Sequence, residues 1–303
     1  YVIDNGYIKV TVSEKNGGFG IRTVDGDKVN KDDDNKQLLF EYDDDNTSFT
    51  SFQVTKNGKT KEYIFGGKYA GSSKVSVAKE NETLVAKWSV DDLTFIQTIS
   101  LVNSGANEHG TAYISYTVEN AGEPADVKCR MLMDTSLGEQ DYAYYNLGNS
   151  NQLQEREVTL GIDGYNKTFY ALDDAGYPSI VAYTINAAIN DVECKPYQTT
   201  FAHWNNLAST VFDYTVDADM AFTNPYNKSY QTADSAYALY FDMGNVATNA
   251  TSVVGTNYGI FSNETVKTEA TVAVNMVAPD VLEFATDANG KEVTKYYNYK
   301  LSN

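Results

Sequence analysis

The stretch 127-VKCRMLMDTSLGEQD-141 carries the pattern that indicates the fold class. Its first half alternates two sets of side chains, which are Val127, Cys129, Met131 and Met133 on one side and Lys128, Arg130, Leu132 and Asp134 on the other. Because successive side chains of a strand point to opposite faces, this alternation predicts a β-strand with one fully apolar face. The polar residues after it predict a turn, at which a functional site could lie.

The rest of the chain predicts an all-β fold. Apolar runs of strand length recur at short, regular spacing from Tyr1 to Asp134, without a helical period. Asn57-Gly58, between two runs of β-forming residues, predicts a hairpin turn. The segment from Trp204 to Tyr214 is the one place where the pattern permits a short helix. This organisation is typical of an antiparallel sandwich or barrel.

Composition and charge narrow the classes of partner. The chain has 303 residues, of which 41 are acidic and 23 basic, with a formal net charge of −18. Such a charge argues against nucleic acid and against anionic membrane surfaces as partners. No apolar run is long enough for a membrane-spanning helix, so we expect no membrane insertion.

Cys129 falls on the apolar face of its strand, and a disulfide to Cys194 is not indicated.

Seven short motifs, in order between Tyr1 and Phe261, resemble a domain of large wall-attached surface proteins of Gram-positive gut anaerobes. They are Gly17–Phe19, Asp33–Phe40, Thr47–Phe52, Tyr63–Gly66, Met133–Asp141, Ala238–Asp242 and Asn257–Gly259. The resemblance implies a large two-sheet antiparallel β-sandwich over residues 1–264, similar to the supersandwich of galactose mutarotase-like proteins. Residues 265–303 would then begin a following small β module or C-terminal extension.

The same resemblance implies a setting and partners. It places the chain outside the cell, on a bacterial surface, as one piece of a longer protein whose neighbouring domains it contacts. Some related surface proteins engage host molecules, which makes a host protein, immunoglobulin among them, or a glycan the expected ligand. Fold alone does not establish function, so this expectation has to be tested at a site.

Catalysis and metal binding leave few candidates. His109 and His203 are the histidines available for acid–base work on a sugar, and a carbohydrate-active enzyme of mutarotase-like fold is therefore an alternative function. Asp134 and Asp141 are predicted to brace the turn between them or to clasp a calcium ion, which prefers carboxylate oxygens. No other cofactor is expected, because the cysteines and histidines lack the spacing of a zinc site.

Aromatic recognition without catalysis fits the sequence best. Tyrosine offers a large contact area with a polar end, which suits binding surfaces. The candidate binding residues are Tyr142, Tyr144, Tyr145, Trp204, Tyr226 and Tyr230. We therefore expect a non-catalytic extracellular binding or adhesion module. A structural spacer is the further alternative, favoured if the tyrosines prove to be buried.

Overall fold

A computed structural model describes residues 1–25, 31–41, 46–67, 75–102, 110–148, 152–161, 168–186, 195–224 and 232–261. All of them belong to one compact unit, Tyr1–Ser262. The expected C-terminal module, residues 265–303, lies outside the described residues and stays a prediction. Within the described ranges, no helix has the length and apolar character needed to span a membrane.

Strands make up most of the described chain. The first nine are β1 (Val2–Asp4), β2 (Ile8–Val12), β3 (Phe19–Thr23), β4 (Phe49–Lys56), β5 (Lys59–Ile64), β6 (Ser76–Glu80), β7 (Thr83–Val90), β8 (Leu93–Val102) and β9 (Thr111–Asn120). The others are β10 (Ala125–Thr135), β11 (Tyr144–Asn146), β12 (Val158–Gly161), β13 (Thr168–Leu172), β14 (Val181–Ile185), β15 (Gln198–Ala202), β16 (Ser235–Val246) and β17 (Ala250–Ile260). A short helix α1 (Trp204–Ala208) precedes β16.

Two large antiparallel sheets form the sandwich. One has six strands in the order β12-β15-β16-β10-β4-β5, and the other has eight in the order β11-β13-β14-β17-β9-β8-β7-β6. Strands β1, β2 and β3 form a small third sheet. Rings of the two large sheets meet between them, as where Phe52 of β4 stacks on Phe95 of β8 at 4.0 Å. The predicted all-β sandwich is confirmed.

Strand β10 lies inside the six-stranded sheet, between β4 and β16. The side chains predicted to form its apolar face do lie in the main core, and Cys129 is fully buried there between Phe52 and Phe241 on the flanking strands. Burial of that face removes apolar surface from water, which is the main stabilising contribution to such a core.

The opposite face of β10 is buried as well, which the sequence pattern did not reveal. Arg130 and Leu132 are fully buried there, because the chain after β15 folds back over the sheet. Leu132 packs with Leu207 of α1 and Phe212 in a second, smaller apolar cluster. The six-stranded sheet is therefore covered on both sides in this region.

Helix α1 is shorter than the segment predicted for it. It ends at Ala208 instead of continuing to Tyr214. Ser209, Thr210 and Val211 follow it, and serine and β-branched residues have weaker helix propensity than alanine or leucine. The guanidinium of Arg130 donates to the carbonyls of Leu207, Thr210 and Val211, at 2.7, 2.7 and 3.2 Å, and so binds the end of the helix.

The hairpin turn predicted at Asn57-Gly58 is confirmed. It joins β4 to β5, and both residues have positive φ angles, 50° for Asn57 and 71° for Gly58. Two positive φ angles in a two-residue loop match the right-handed twist of the strands, and asparagine and glycine adopt them at low cost.

Candidate functional site

The turn after β10 crosses from one large sheet to the other. Strand β10 belongs to the six-stranded sheet, and β11 forms an edge of the eight-stranded sheet. The crossing is tight, since the backbones of Leu137 and Gln140 bond each other in both directions, at 2.9 and 3.1 Å. Gly138, with φ of 68°, donates to the carbonyl of Gln37 at 2.9 Å. This turn, residues 136–143, is called the crossing turn below.

Tyr145 does not belong to a surface patch, and its prediction as a binding residue is wrong. Its side chain has 0% exposure, and its hydroxyl lies 2.6 Å from Oγ1 of Thr135 and 3.2 Å from Oγ of Ser235. Its ring lies 4.7 Å from that of Phe201. Side chains alternate along β11, so the residue after an outward-facing tyrosine must point into the core.

Tyr142 and Tyr144 form the aromatic pair that remains at the surface. Both are half-buried, and their rings meet edge to face with centroids 5.8 Å apart. Burial raises the pKa of the Tyr144 hydroxyl, and the nearby Tyr142, Glu155 and Asp174 add to the shift. The pair offers a tyrosine face with hydroxyl groups and neighbouring carboxylates.

A cluster of three carboxylates lies beside the crossing turn. Asp134 and Asp234 are buried and Asp141 is exposed, and ligand atoms of the three lie within 4.8 Å of one another. Asp134 and Asp141, which the sequence analysis paired, are thus brought together. Asp234 was missed. It joins them because β16 runs antiparallel to β10, with Ala236 opposite Asp134.

The carboxylate cluster is electrostatically unfavourable when every member is ionised. Burial, followed by the charges of Asp134 and Asp141, raises the pKa of Asp234 far above the usual range of a carboxyl group. Although Asp141 as a whole residue is exposed, desolvation of its carboxyl group also raises its pKa. Like charges this close oppose joint ionisation, so a proton or a cation is needed among them.

His203 holds the backbone together and leaves no ring nitrogen for a substrate. It caps helix α1, where its Nδ1 accepts a hydrogen bond from the Asn205 N–H at 3.3 Å, and its Nε2 lies 3.2 Å from the carbonyl oxygen of Thr232. Burial lowers the pKa of the His203 imidazole, while Thr232 and Glu157 partly oppose that shift. A neutral imidazole with a proton on Nε2 satisfies both bonds.

Glu157 organises the same region and was not singled out from the sequence. Its carboxylate is buried and accepts four hydrogen bonds, from the His203 N–H, the side chain of Asn206, the hydroxyl of Tyr214 and the N–H of Asp217. Such complete satisfaction is typical of a structural buried carboxylate. No spacing in the sequence relates Glu157 to these partners, which lie on the segment that covers the sheet.

The other predicted residues divide into two groups. Trp204 is the first residue of α1, is half-buried and packs against the cluster around Leu207 and Phe212. Its indole Nε1 is buried and makes no hydrogen bond within the described residues. Tyr226 and Tyr230 lie outside the described residues, as do His109 and Cys194.

A cleft of about 270 Å³ lies beside the β4–β5 hairpin. This hairpin lies next to the start of β10, at the end of the strand away from the crossing turn. Its charged and aromatic lining residues are Lys56, Lys59, Lys61, Tyr63, Asp91 and Asp92. Lys56 pairs with Asp92, and Lys61 pairs with Asp91 at 3.0 Å. Lys59 and Lys61 are exposed on an edge strand, where lysine discourages pairing with another sheet.

Neither a protein-family model nor a curated protein matches the chain. Solved structures do match it. A galactose mutarotase related enzyme from Lactobacillus acidophilus aligns with a TM-score of 0.51 and 10% identity, over 86% of this chain and 97% of that one. The chain has the fold of galactose mutarotase-like proteins.

Two further structures support the mutarotase-like fold. A galactose mutarotase-like protein from Lactobacillus casei ATCC 334 has a TM-score of 0.50 and 11% identity, covering 86% of this chain and 99% of its own. A protein assigned as an aldose 1-epimerase from Escherichia coli K12 has a TM-score of 0.51 and 12% identity, covering 86% and 98%. Identities this low show a shared fold alone. The fold implied by the sequence motifs is confirmed, whereas the wall-attached setting stays a prediction.

Proposed function

We propose that this chain is a non-catalytic carbohydrate-binding module, and that Tyr142 and Tyr144 provide the contact. The observation that carries the proposal is the edge-to-face pair of half-buried rings at the edge of the eight-stranded sheet. Tyrosine presents an apolar ring face and a hydroxyl with little loss of side-chain freedom, a combination that suits a sugar ring with its hydroxyl groups.

Nearby groups complete a polar surface around the rings. Asp141 directly precedes Tyr142 and is exposed, and Glu155 and Asp174 lie close enough to influence the pKa of Tyr144. Carboxylates accept hydrogen bonds from hydroxyl groups, and such charge-assisted bonds are stronger than neutral ones. The fold adds support, because the similar proteins from Lactobacillus are described by their relation to galactose mutarotase.

A binding role is favoured over catalysis by the state of His203. Both of its ring nitrogens are engaged with the backbone, at Asn205 and Thr232, so it holds the helix cap instead of exchanging protons with a sugar. The extracellular position on a bacterial surface is part of the proposal and rests on the sequence motifs. An immunoglobulin or another host protein is the alternative ligand.

Binding to a glycan array, followed by calorimetry on each hit, tests the proposal. Tyr142→Ala and Tyr144→Ala are each expected to weaken binding at least tenfold, in line with an aromatic hot spot worth about 1.4 kcal/mol or more. Tyr1→Ala is the matched control, because Tyr1 is an exposed tyrosine next to the small three-stranded sheet. Equal losses in all three variants would count against the tyrosine pair.

Three other outcomes would overturn the proposed function. Turnover of sugar anomers that disappears in His109→Ala or His203→Ala would establish the enzymatic alternative. Binding to immunoglobulin that survives removal of its glycans would identify a protein ligand. No binding to any glycan or host protein would favour a structural spacer.

A further inference from the structure

We propose that Asp134, Asp141 and Asp234 form a calcium site that holds the crossing turn. The three residues come from three places, namely the end of β10, the crossing turn, and the position just before β16. Their ligand atoms all lie within 4.8 Å of one another. An ion at their centre would tie the crossing turn to two strands of the six-stranded sheet.

A buried oxygen of Asp234 points independently to a bound cation. Asp234 is only 7% exposed, and its Oδ1 is buried and accepts no hydrogen bond from the described residues. Buried carboxylate oxygens are normally satisfied by donors or by a cation, since leaving them bare costs free energy. A calcium ion shared with Asp134 and Asp141 satisfies this oxygen and offsets the repulsion among the three charges.

The donor set selects the class of ion. Calcium binds oxygen ligands at about 2.3 to 2.6 Å, so two oxygens on opposite sides of one ion lie roughly 4.8 Å apart. One oxygen from each of the three residues can therefore contact a single ion, since these oxygens lie within 4.8 Å of one another. All three donors are carboxylates, whereas zinc and the later transition metals prefer histidine and cysteine. Asp141 is exposed, which gives the ion a path from solvent and leaves room for water ligands.

The site has a consequence for the tyrosine pair. Tyr142 follows Asp141 directly, and Tyr144 lies two residues further on. Fixing Asp141 would therefore limit the motion of the segment that bears both rings, and ordering a binding loop in advance raises its affinity. Only this effect on ligand affinity rests on the proposed function. Binding of the ion does not.

The experiment uses the full chain after removal of metal with a chelator. Ca²⁺ is added up to about 5 mM, which covers the affinity range of calcium-binding modules. Calorimetry measures Ca²⁺ binding, and tyrosine-sensitised Tb³⁺ luminescence reports occupation of the site. The midpoint of thermal unfolding is expected to rise by roughly 5 °C when the site is saturated with Ca²⁺. Asp141→Asn, an exposed substitution, is expected to weaken Ca²⁺ binding at least tenfold. Asp126→Asn, at the far end of β10, is the matched control and should bind Ca²⁺ normally.

A second variant separates loss of the site from misfolding. Asp234→Asn should abolish the calcium-dependent rise of the midpoint. In chelator it should still unfold at a higher temperature than the unaltered chain, because an amide avoids the cost of burying a third carboxyl group beside Asp134 and Asp141 without an ion. Absence of both Ca²⁺ binding and Tb³⁺ luminescence would overturn the proposal. So would an equal loss in Asp126→Asn, or equally tight binding of Mg²⁺. If Ca²⁺ binds but no sugar does, the proposed function fails and the calcium site stands.

Discussion

Tyr144 and Tyr145 are adjacent in the chain, but they lie on opposite sides of the eight-stranded sheet. Tyr145 is fully buried, with its hydroxyl 2.6 Å from Oγ1 of Thr135, while Tyr144 is half-buried with its ring 5.8 Å from that of Tyr142. One side chain contributes to packing between the sheets and the next to the surface. Substitutions at the two positions should therefore separate stability from binding.

Tyr145→Phe should lower the free energy of unfolding without weakening ligand binding. The change removes the hydroxyl that bonds Thr135 and Ser235, while these two remain 2.8 Å apart and still bond each other, so the expected loss is about 1 kcal/mol. Urea unfolding and calorimetry with the glycan measure the two quantities. Tyr144→Phe is the matched control, for which we expect little change in stability. A drop in affinity for Tyr145→Phe with unchanged stability would contradict the assignment.

Arg130→Lys should destabilise the protein by about 2 kcal/mol, since hydrogen bonds to charged donors each contribute roughly 1.5 to 3 kcal/mol and lysine cannot reproduce the planar fork. The guanidinium is fully buried and donates to the carbonyls of Leu207 and Thr210, both at 2.7 Å. Unfolding in guanidinium chloride measures the decrease in the free energy of unfolding. Amide hydrogen exchange should show that α1 opens first. Lys128→Met, at an exposed neighbouring position, should change stability by less than about 0.5 kcal/mol. Equal effects of the two substitutions would contradict the capping role.

His203 should make stability fall on acidification. Its pKa is lowered in the folded state from the usual 6.5, so below that pH the unfolded chain takes up a proton that the folded chain refuses. The loss of stability begins near pH 6.5 and is complete once the pH falls below the pKa of His203 in the folded state. Protonation also removes the Nδ1 acceptor that caps Asn205.

The variant His203→Asn isolates this titration. Asparagine can accept the Asn205 N–H as a helix cap but carries no titrating group, and it loses the contact with Thr232 at a cost of about 1 kcal/mol near pH 8. Urea unfolding from pH 8 to pH 5 should show that the difference in the free energy of unfolding between the unaltered chain and His203→Asn becomes smaller. If the gap widens instead, His203 is protonated in the folded state.

Cys129 should resist thiol reagents while the protein is folded. The residue has 0% exposure, and burial raises the pKa of its thiol well above the usual value. In a Cys194→Ser background, labelling should be at least about a thousandfold slower than in urea, because reaction must await opening of a core held by several kcal/mol. Labelling rates in native buffer and in urea measure this ratio. Rapid labelling in native buffer would show that β10 is accessible.

Much of the fold was predictable because local patterns determine it. Alternation in Val127–Met133 predicted the core strand β10, and Asn57-Gly58 predicted the hairpin between β4 and β5, since both features depend on neighbours in the chain. The Trp204–Tyr214 helix was overestimated, because its end is determined partly by Arg130, which lies 77 positions before Leu207 in the chain.

The candidate site was only half predictable, for the same reason. The sequence by itself determined the antiparallel β architecture and placed Asp134, Asp141 and two tyrosines around one turn. Only the tertiary structure brought Asp234 to that turn, through the pairing of β16 with β10, and only it turned Tyr145 into the core. Alternation and turn propensity act over a few residues and can be recognised locally. Strand pairing and the choice of buried face depend on the packing of both sheets, which no local stretch of sequence encodes.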